Sequence, residues 1–538
     1  ALGDAPVVST VSSPTMPDQT VLVSGEGFAR DTEIRIARLK DGKPGIEIKE
    51  APAPGEDARS VMPLQSSGRS LKFVVPKAFE KGMYVASFRT GDKDSEVVRI
   101  NSPIALWVQG DQFSHSTPDG WLRIVGEALG FEGVESTVML RKGSETHMLK
   151  AQELAYQQVA EKGLKGIEGE YCLHVSLPEE LEKGDWEVWV HNGFGGAFGW
   201  QQAGTARVGV PPKWPTDVFR VEGGDQRAIE TAVAKAKENG GGTVYFPAGI
   251  YRPTKAIEVP PFTTLKGEDS GRVELYWPGR TMKVPPVALV YGKSDFAVED
   301  LTLIQTGRHA AGIMCENGFA PDGGGNVTVR NVVIRLNAFS GVGSRSFQDP
   351  TAELIDRGLI GPSGIGGKEP YGRVAALMLG GDNITVDNVN VWSTGHPFIL
   401  DWVGGIVKDS VFSSPVVGRY WIRACHRLIF ENNQVECGGA VACYNVSYPD
   451  DYPFGGRQYT TTSNRNILLM GNRFFKSWKN DAEVLTVDSH PAVNLYIGPI
   501  AGAGKDTIQL PKENQYVFSG TSVGDQKCRK TIEPEKTY

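Results

Sequence analysis

A short pattern recurs six times in the second half of the chain: an apolar residue, Asn or Asp two places later, and a second apolar residue three places after that. The copies are Val298/Asp300/Leu303, Val329/Asn331/Ile334, Val386/Asn388/Val391, Val407/Asp409/Phe412, Phe430/Asn432/Val435 and Met470/Asn472/Phe475. Their first positions lie 31, 57, 21, 23 and 40 residues apart. The two short spacings suit one bare turn of a chain that stacks strand upon strand, and the longer ones suit turns carrying an excursion. Residue chemistry explains the pattern, because a strand that bends sharply needs a residue tolerating left-handed backbone, and Asn and Asp do so. The flanking apolar residues then point into the stack, and superposed Asn amides can bond one another along it. Asn331, Asn388, Asn432 and Asn472 are therefore assigned to scaffold.

The start of this region is equally informative. From Asp225 to Glu238, apolar residues fall at Ala228, Ile229, Ala232, Val233 and Ala236, the stripe of an amphipathic helix. Gly240-Gly241-Gly242 stops it, Thr243 to Phe246 reads as a strand, Pro247-Ala248-Gly249 turns, and Ile250 and Tyr251 open a second strand. The helix followed by "GGGTVYFPAGIY" resembles the N-terminal cap and first coil of the pectin-lyase-like (pectate lyase superfamily) right-handed parallel β-helices. That resemblance, covering 218 to about 500, implies a helix over the open end of the stack, whose first row would otherwise be an unpaired edge. It also implies a place among secreted polysaccharide hydrolases, lyases and epimerases. "AEVLTVDSH…YIG" is similar to the E-A-x-T-x-D…Y-x-G stretch of some bacterial β-helix carbohydrate enzymes, the matching residues being Glu483, Thr486, Asp488, Tyr496 and Gly498. The polygalacturonase series of NTD, DD, GHG and RIK is not found in order.

The first 210 residues hold a different repeat. "VLVSGEGF" from Val21 and "LRIVGEALGF" from Leu122 align at Gly25 and Gly126, 101 residues apart, a length that suits one small β-sandwich each. Both alternate as strands do, with glycine where a bulge or tight turn is needed. They resemble IPT/TIG-type immunoglobulin-like domains, modules that space or dock a neighbour. The expected fold class is thus all-β: a right-handed parallel β-helix with an N-terminal capping helix, preceded by two Ig-like β-sandwich domains. The expected boundaries are 1–101 and 102–210 for the sandwiches, 211–224 for a Pro-stiffened linker, and 225–538 for the β-helix. After Phe475, "LYIGPIAGAGKDTIQLPKENQYVFSG" reads as a small antiparallel excursion, so either the chain is truncated or another segment completes the cylinder.

Composition narrows the partners. The chain has 65 glycines, as many short strands with tight turns require, and a formal net charge of -7 with no long basic run, which disfavours nucleic acid. No apolar run approaches the roughly 20 residues that cross a bilayer. A secreted, extracellular or periplasmic protein of bacterial type is expected. The six cysteines include no C-x-x-C pair, so zinc and redox motifs are absent. Cys437 and Cys443 are either bridged across a short loop or free thiols.

Candidate site residues lie where the scaffold pattern is interrupted. The excursion between Asn432 and Asn472 is rich in tyrosine, and Tyr444, Tyr448, Tyr452 and Tyr459 suit sugar faces and hydroxyls. "STGHPFILDWVGG" and "GRYWIRACHR" bring His396, Asp401, Trp402, Arg419, Trp421 and Arg423, a mixture ill suited to a core. Asp401 should face outward or pair with Arg419 or Arg423, either as an Asp/Arg ladder or as a cleft whose arginines grip a uronate or sulfate. The densest acidic cluster is "KNDAEVLTVDSHP", where a bulge near Val484-Leu485 would put Asp481, Glu483, Thr486 and Asp488 on one side, with Lys479 and His490 beside them. Glycoside hydrolysis needs one protonated and one ionised carboxyl, so Glu483 with Asp488 or Asp481 are the candidate acid and base, and Asp401 a further one. Substrate contacts are expected from His396, Trp402, Arg419, Arg423, Tyr444, Tyr452, His490 and Tyr496. No cofactor is expected of a hydrolase; a lyase acting on a uronic-acid glycan would use Arg419, Arg423 or Lys479, with a Ca²⁺ ion or a basic side chain neutralising the substrate carboxylate. A non-catalytic glycan-binding or adhesin protein is the remaining reading.

Overall fold

The computed structural model describes residues 5–152, 171–277, 288–305, 311–315, 325–336, 375–393, 396–414, 419–423, 425–437, 440–444, 453–454, 457–458 and 465–476, and short strands from there to 528. At 396, 401–402, 419–421, 423, 436–437, 440–444, 453–454, 457–458 and 465, and beyond 472, it describes strand positions only. The turn residues of the recurring pattern adopt the conformation their chemistry permits: Asp300, Asn331, Asn388, Asp409 and Asn432 have φ between 51° and 56°. Their side chains climb the stack as a ladder. Asn331 Nδ2 donates to Asp300 Oδ1 (2.8 Å), Asn388 Nδ2 to Asn331 Oδ1 (2.9 Å) and Asn432 Nδ2 to Asp409 Oδ1 (2.6 Å).

The sixth copy departs from the expected register by one residue. There the left-handed position is Gly471 (φ 63°), which takes it without a steric penalty, and Asn472 opens the next strand. Asn472 is fully buried, donating to the Phe430 carbonyl (2.7 Å) and accepting from Asn433 N (2.9 Å). It thereby joins an inner ladder in which Asn433 Oδ1 accepts from Ser410 N and Ser410 Oγ accepts from Val389 N, each at 3.0 Å. A third ladder holds the opposite bend: Asn383 Nδ2 donates to Asn326 Oδ1 (2.9 Å), and Asn326 Nδ2 to Asp295 Oδ1 (2.7 Å).

Between these turns the chain repeats one course. Ala288–Gly292, Phe296–Glu299 and Thr302–Gln305 make one pass, and Ala311–Cys315, Gly325–Arg330 and Val333–Leu336 the next, each strand pairing in parallel with its counterpart. The course continues through Ala375–Asp387 and His396–Lys408, building an 18-stranded and a nine-stranded parallel sheet around one apolar core. This all-β arrangement of long parallel sheets is consistent with a β-helix.

The helix Gln226–Glu238 closes on that core through Ile229, Ala232 and Ala236. Asp225 caps its start, accepting from Ala228 N (2.9 Å), and the Gly241 amide reaches back to the Ala236 carbonyl (2.8 Å) at its end. Two expectations are corrected. Within the supposed linker, Val218–Arg220 forms a strand paired in parallel with Thr243–Tyr245, because the first row still offers an unpaired edge beside the helix. The stretch after Phe475 is not antiparallel: Val493–Ile497, Ile500–Ala501, Ile508–Gln509 and Val517–Phe518 all continue the parallel sheets. Apolar alternation is the same for either strand sense, and the open top edge decides it. Only Thr521–Val523 with Gln526–Cys528 pairs antiparallel there among the described residues.

The other unit, up to Val210, holds two pairs of sheets, antiparallel except where His115–Ser116 pairs in parallel with Gln201–Val208. The first draws on strands up to Val98–Ile100 and the second on strands from Ile104–Gly110 onward. The sequence repeat has a common structural cause. Gly25 lies opposite Val8 and Gly126 opposite Ala105, each beside a register shift, and a Cβ at either would overlap the carbonyl of Val7 or Ile104. A loop from the second sandwich clamps the first. Phe194 packs with Ala37, Leu39 and Met83, Gly195 N donates to Asp41 Oδ1 (3.1 Å), and Trp200 Nε1 to the Gly45 carbonyl (2.9 Å). Buried His191 braces that loop: Nε2 donates to the Gly196 carbonyl (2.8 Å) and Nδ1 accepts from Gly193 N (3.0 Å). Burial holds its pKa below the ordinary imidazole value.

Two outcomes are expected. Gly126→Ala should destabilise this unit by about 1–3 kcal/mol through overpacking against backbone, read as a lowered midpoint in chemical denaturation. His191 is neutral when folded and protonates more readily unfolded, so its contribution is complete above about pH 6.5 and declines as pH falls below it. Amide hydrogen exchange across 192–200, corrected for the intrinsic rate, should accelerate over that window.

Candidate active site

The strand His396–Lys408 is held from inside. Phe398 and Leu400 are buried in the core, and the Phe398 ring lies 4.9 Å from Phe412 and 5.7 Å from Phe430. Leu400 pairs with Ile422 on the next strand, itself buried in the same core. The alternate positions form two further columns: Ile399–Trp421–Ala442–Thr486, and Asp401–Arg423–Tyr444. Rungs of a sheet are about 4.8 Å apart, so Asp401 and Tyr444 are separated by two rungs, roughly 10 Å. Asp401 thus stands opposite Arg423, whereas Arg419 begins its strand opposite Ala440. Beneath this step three strand segments are buried throughout: Ala288–Gly292, Ala311–Cys315 and 375–379, including Tyr291, Met314 and Met378 in the column leading to Ile399.

The remaining sequence candidates divide. His396 starts the Asp401 strand opposite Ala375, and Trp402 follows Asp401. Tyr496 pairs with Leu468, in a column separate from that of Asp401. Asp481, Glu483, Asp488, His490, Tyr448, Tyr452, Tyr459, Lys479 and Val484 lie outside the described residues. Cys437 and Cys443 occupy strand positions opposite Ser414 and Ile422. Cys315 is buried among core residues, its Sγ accepting from Gly380 N (3.1 Å), and burial pushes its thiol up to about 12, so it is a packing group and not a nucleophile.

Two assemblies escaped sequence reasoning. The first is a charge ladder on the sheet that Lys408 shares with Asp401. Lys266, Glu299, Arg330, Asp387, Lys408 and Glu431 occupy one column on consecutive strands, with alternating sign. Lys266 lies 3.2 Å from Glu299, Arg330 lies 3.6 Å from both Glu299 and Asp387, and Lys408 lies 3.3 Å from Asp387. Burial works against the charge of Lys408, but Asp387 and Asp409 outweigh it and raise its pKa. Because the partners are 21 to 57 residues apart, only the pairing reveals them. The second lies on the sheet Trp121–Glu127 with Cys172–Ser176, where Arg123 sits 5.7 Å from the Trp121 ring and donates to Cys172 Sγ (3.9 Å), with His174 5.9 Å from Trp121. Its signal was polar residues alternating with Leu122 and Ile124.

No family model matches the chain, and no curated protein matches it. Among solved structures it is similar to one determined with a xylogluco-oligosaccharide (12% identity, TM-score 0.21, covering 38% of this chain and 41% of that one). It is also similar to the Bacteroides ovatus mixed-linkage glucan utilization locus SGBP-B in complex with a mixed-linkage heptasaccharide (13%, 0.19, 39% and 46%). A third is the catalytic unit of the thermostable GH87 alpha-1,3-glucanase from Streptomyces thermodiastaticus strain HF3-3 (12%, 0.17, 92% and 98%). The chain spans less than half the length of the first two.

The charge ladder carries a prediction. Asp387→Lys sets three cations on successive rungs and should destabilise the parallel stack by roughly 1–2 kcal/mol, whereas Asp387→Glu, which keeps the alternation of sign, should cost clearly less. Denaturation midpoints of the two variants check this.

Proposed function

We propose that this protein is a secreted carbohydrate-active enzyme, a glycoside hydrolase cutting a polysaccharide in a groove on the outside of a right-handed parallel β-helix. The handedness is that of nearly all parallel crossovers. The observation that carries the reading is the unbroken column Asp401–Arg423–Tyr444 on three consecutive strands, set above apolar rungs. An acid beside a guanidinium remains ionised at neutral pH, as a base or nucleophile requires, while a tyrosine supplies a ring and a hydroxyl for a sugar. Glu483 with Asp488 or Asp481 would furnish the acid and base, with Asp401 as a further carboxylate. Carboxyls about 5 Å apart imply retention of configuration, and roughly 6.5–9.5 Å inversion. Arg419 and Arg423 would hold an anionic substituent, and His396, Trp402, Tyr452, His490 and Tyr496 would line the groove. The two antiparallel modules act in this reading as Ig-like spacers.

One feature also supports a polysaccharide lyase: Arg423 stands between a carboxylate and a tyrosine position, where it can act on a uronate. In that case a Ca²⁺ ion or a basic side chain would neutralise the substrate carboxylate.

Purified protein tested on neutral, uronic and sulfated polysaccharides should shorten at least one of them. Glu483→Gln, Asp488→Asn and Asp401→Asn should each retain the fold by circular dichroism, and those in direct proton transfer should lose about 10²–10⁴-fold in rate. New ultraviolet absorbance in the products would make the enzyme a lyase. A protein that binds but shortens none of the panel would refute catalysis.

A further inference from the structure

The nine-stranded sheet has an outward column of its own. Tyr276, Ile304, Arg335, Trp392 and Ser413 follow one another on consecutive strands, beside a second column containing Val333, Asn390 and Val411. Trp392 is 38% exposed, one of the few large apolar side chains of the described stack open to solvent. Arg335 is half-buried, and its Nη1 donates to the carbonyls of Ile334 and Asn390, both at 3.0 Å. Those bonds fix the guanidinium, yet among the described residues no carboxylate pairs with it and its Nε and Nη2 make no hydrogen bond. Burial alone perturbs it, lowering its pKa. The contrast within one molecule is informative, because Lys266, Arg330 and Lys408 each lie beside a carboxylate on a neighbouring rung. Arg335 has instead Ile304 below it and Trp392 above.

A fixed guanidinium with one free edge is built to receive a carboxylate or sulfate in a two-point contact. An exposed indole one rung away, about 4.8 Å along the sheet, lies at the advance of a single sugar along an extended glycan. We propose that this strip is a docking track for an anionic polysaccharide, separate from the groove at Asp401, in which Arg335 takes the uronate or sulfate and Trp392 stacks on the adjoining sugar. The inference rests on the reading of the protein as carbohydrate-active. A strip so narrow, with one cation and one ring in sequence, matches a linear chain of rings better than a protein surface, which needs some 800 Å² per partner.

The test is affinity electrophoresis of the full chain in native gels containing polygalacturonate, a sulfated glycan or a neutral β-glucan. Retardation is expected in one or both anionic gels and not in the neutral one, and the gel that retards identifies the anion. Arg335→Gln and Trp392→Ala should each weaken it at least tenfold. Arg335→Lys should restore only part, since an ammonium lacks the fork. Trp392→Phe, which keeps a ring, should stay close to wild type and guards against misfolding at that position. Equal migration of wild type, Arg335→Gln and Trp392→Ala would overturn the track, as would absence of retardation in every gel. Retardation lost in Arg423→Gln but kept in Arg335→Gln would assign the anion to the groove, overturning the track while sparing the proposed activity. Retardation that depends on Arg335, in a protein that shortens no polysaccharide, would sustain the track and refute the activity.

Discussion

Register is the constraint on which the parallel stack depends. Each strand's unpaired edge is the template for the next, and a slip by one residue would turn the core-facing set outward. Three side-chain systems oppose such a slip together. The outer amide ladder from Asp300 to Asn388 needs its turn residues superposed, and the charge column from Lys266 to Glu431 needs alternating signs superposed. The inner ladder of Ser410, Asn433 and Asn472 needs buried amides within reach of buried backbone. An unpaired buried amide costs about 1–3 kcal/mol, so the last system punishes a misalignment most heavily.

What could be read in advance follows from which interactions are local. The Asn and Asp turns were legible because a left-handed bend is written in one residue, and the helix Gln226–Glu238 because its stripe and its glycine stop are contiguous. The repeat at Gly25 and Gly126 was legible for the same reason, one glycine marking one close approach. The sixth turn was misread because Gly471 meets the need equally well and leaves Asn472 free for the interior. The sense of the strands from Val493 onward was not legible, since apolar alternation has no direction. The charge column was invisible too, because its members find each other only after the excursions have been folded out of the way.

The candidate site shows the same division. Asp401, Arg419 and Arg423 stood out in sequence because charges in an apolar strand pattern are costly, but the choice between the two arginines is a matter of pairing. Ile399 opposite Trp421 sets it, placing Asp401 opposite Arg423 and leaving Arg419 at a strand start. The acidic run from Asp481 to Asp488 was legible as composition alone, because distances between carboxyls depend on how the strand around Leu485–Val487 enters the sheet.

A stack of this kind separates the work of holding its shape from the work of meeting a ligand. Where cations serve the scaffold, as at Lys266, Arg330 and Lys408, neighbouring rungs supply the anion and the field they present is small. A cation whose neighbouring rungs offer only an aliphatic and an aromatic side chain, as at Arg335, keeps its field for something outside the chain. The scaffold contributes spacing in both settings: successive rungs are about 4.8 Å apart, so groups lifted from consecutive strands form a row of fixed pitch without any loop having to be ordered. A linear polymer of rings presents its own groups at a comparable pitch. Such a row can therefore meet several sugars at once with side chains already held by the sheet, so that little conformational freedom is lost on binding.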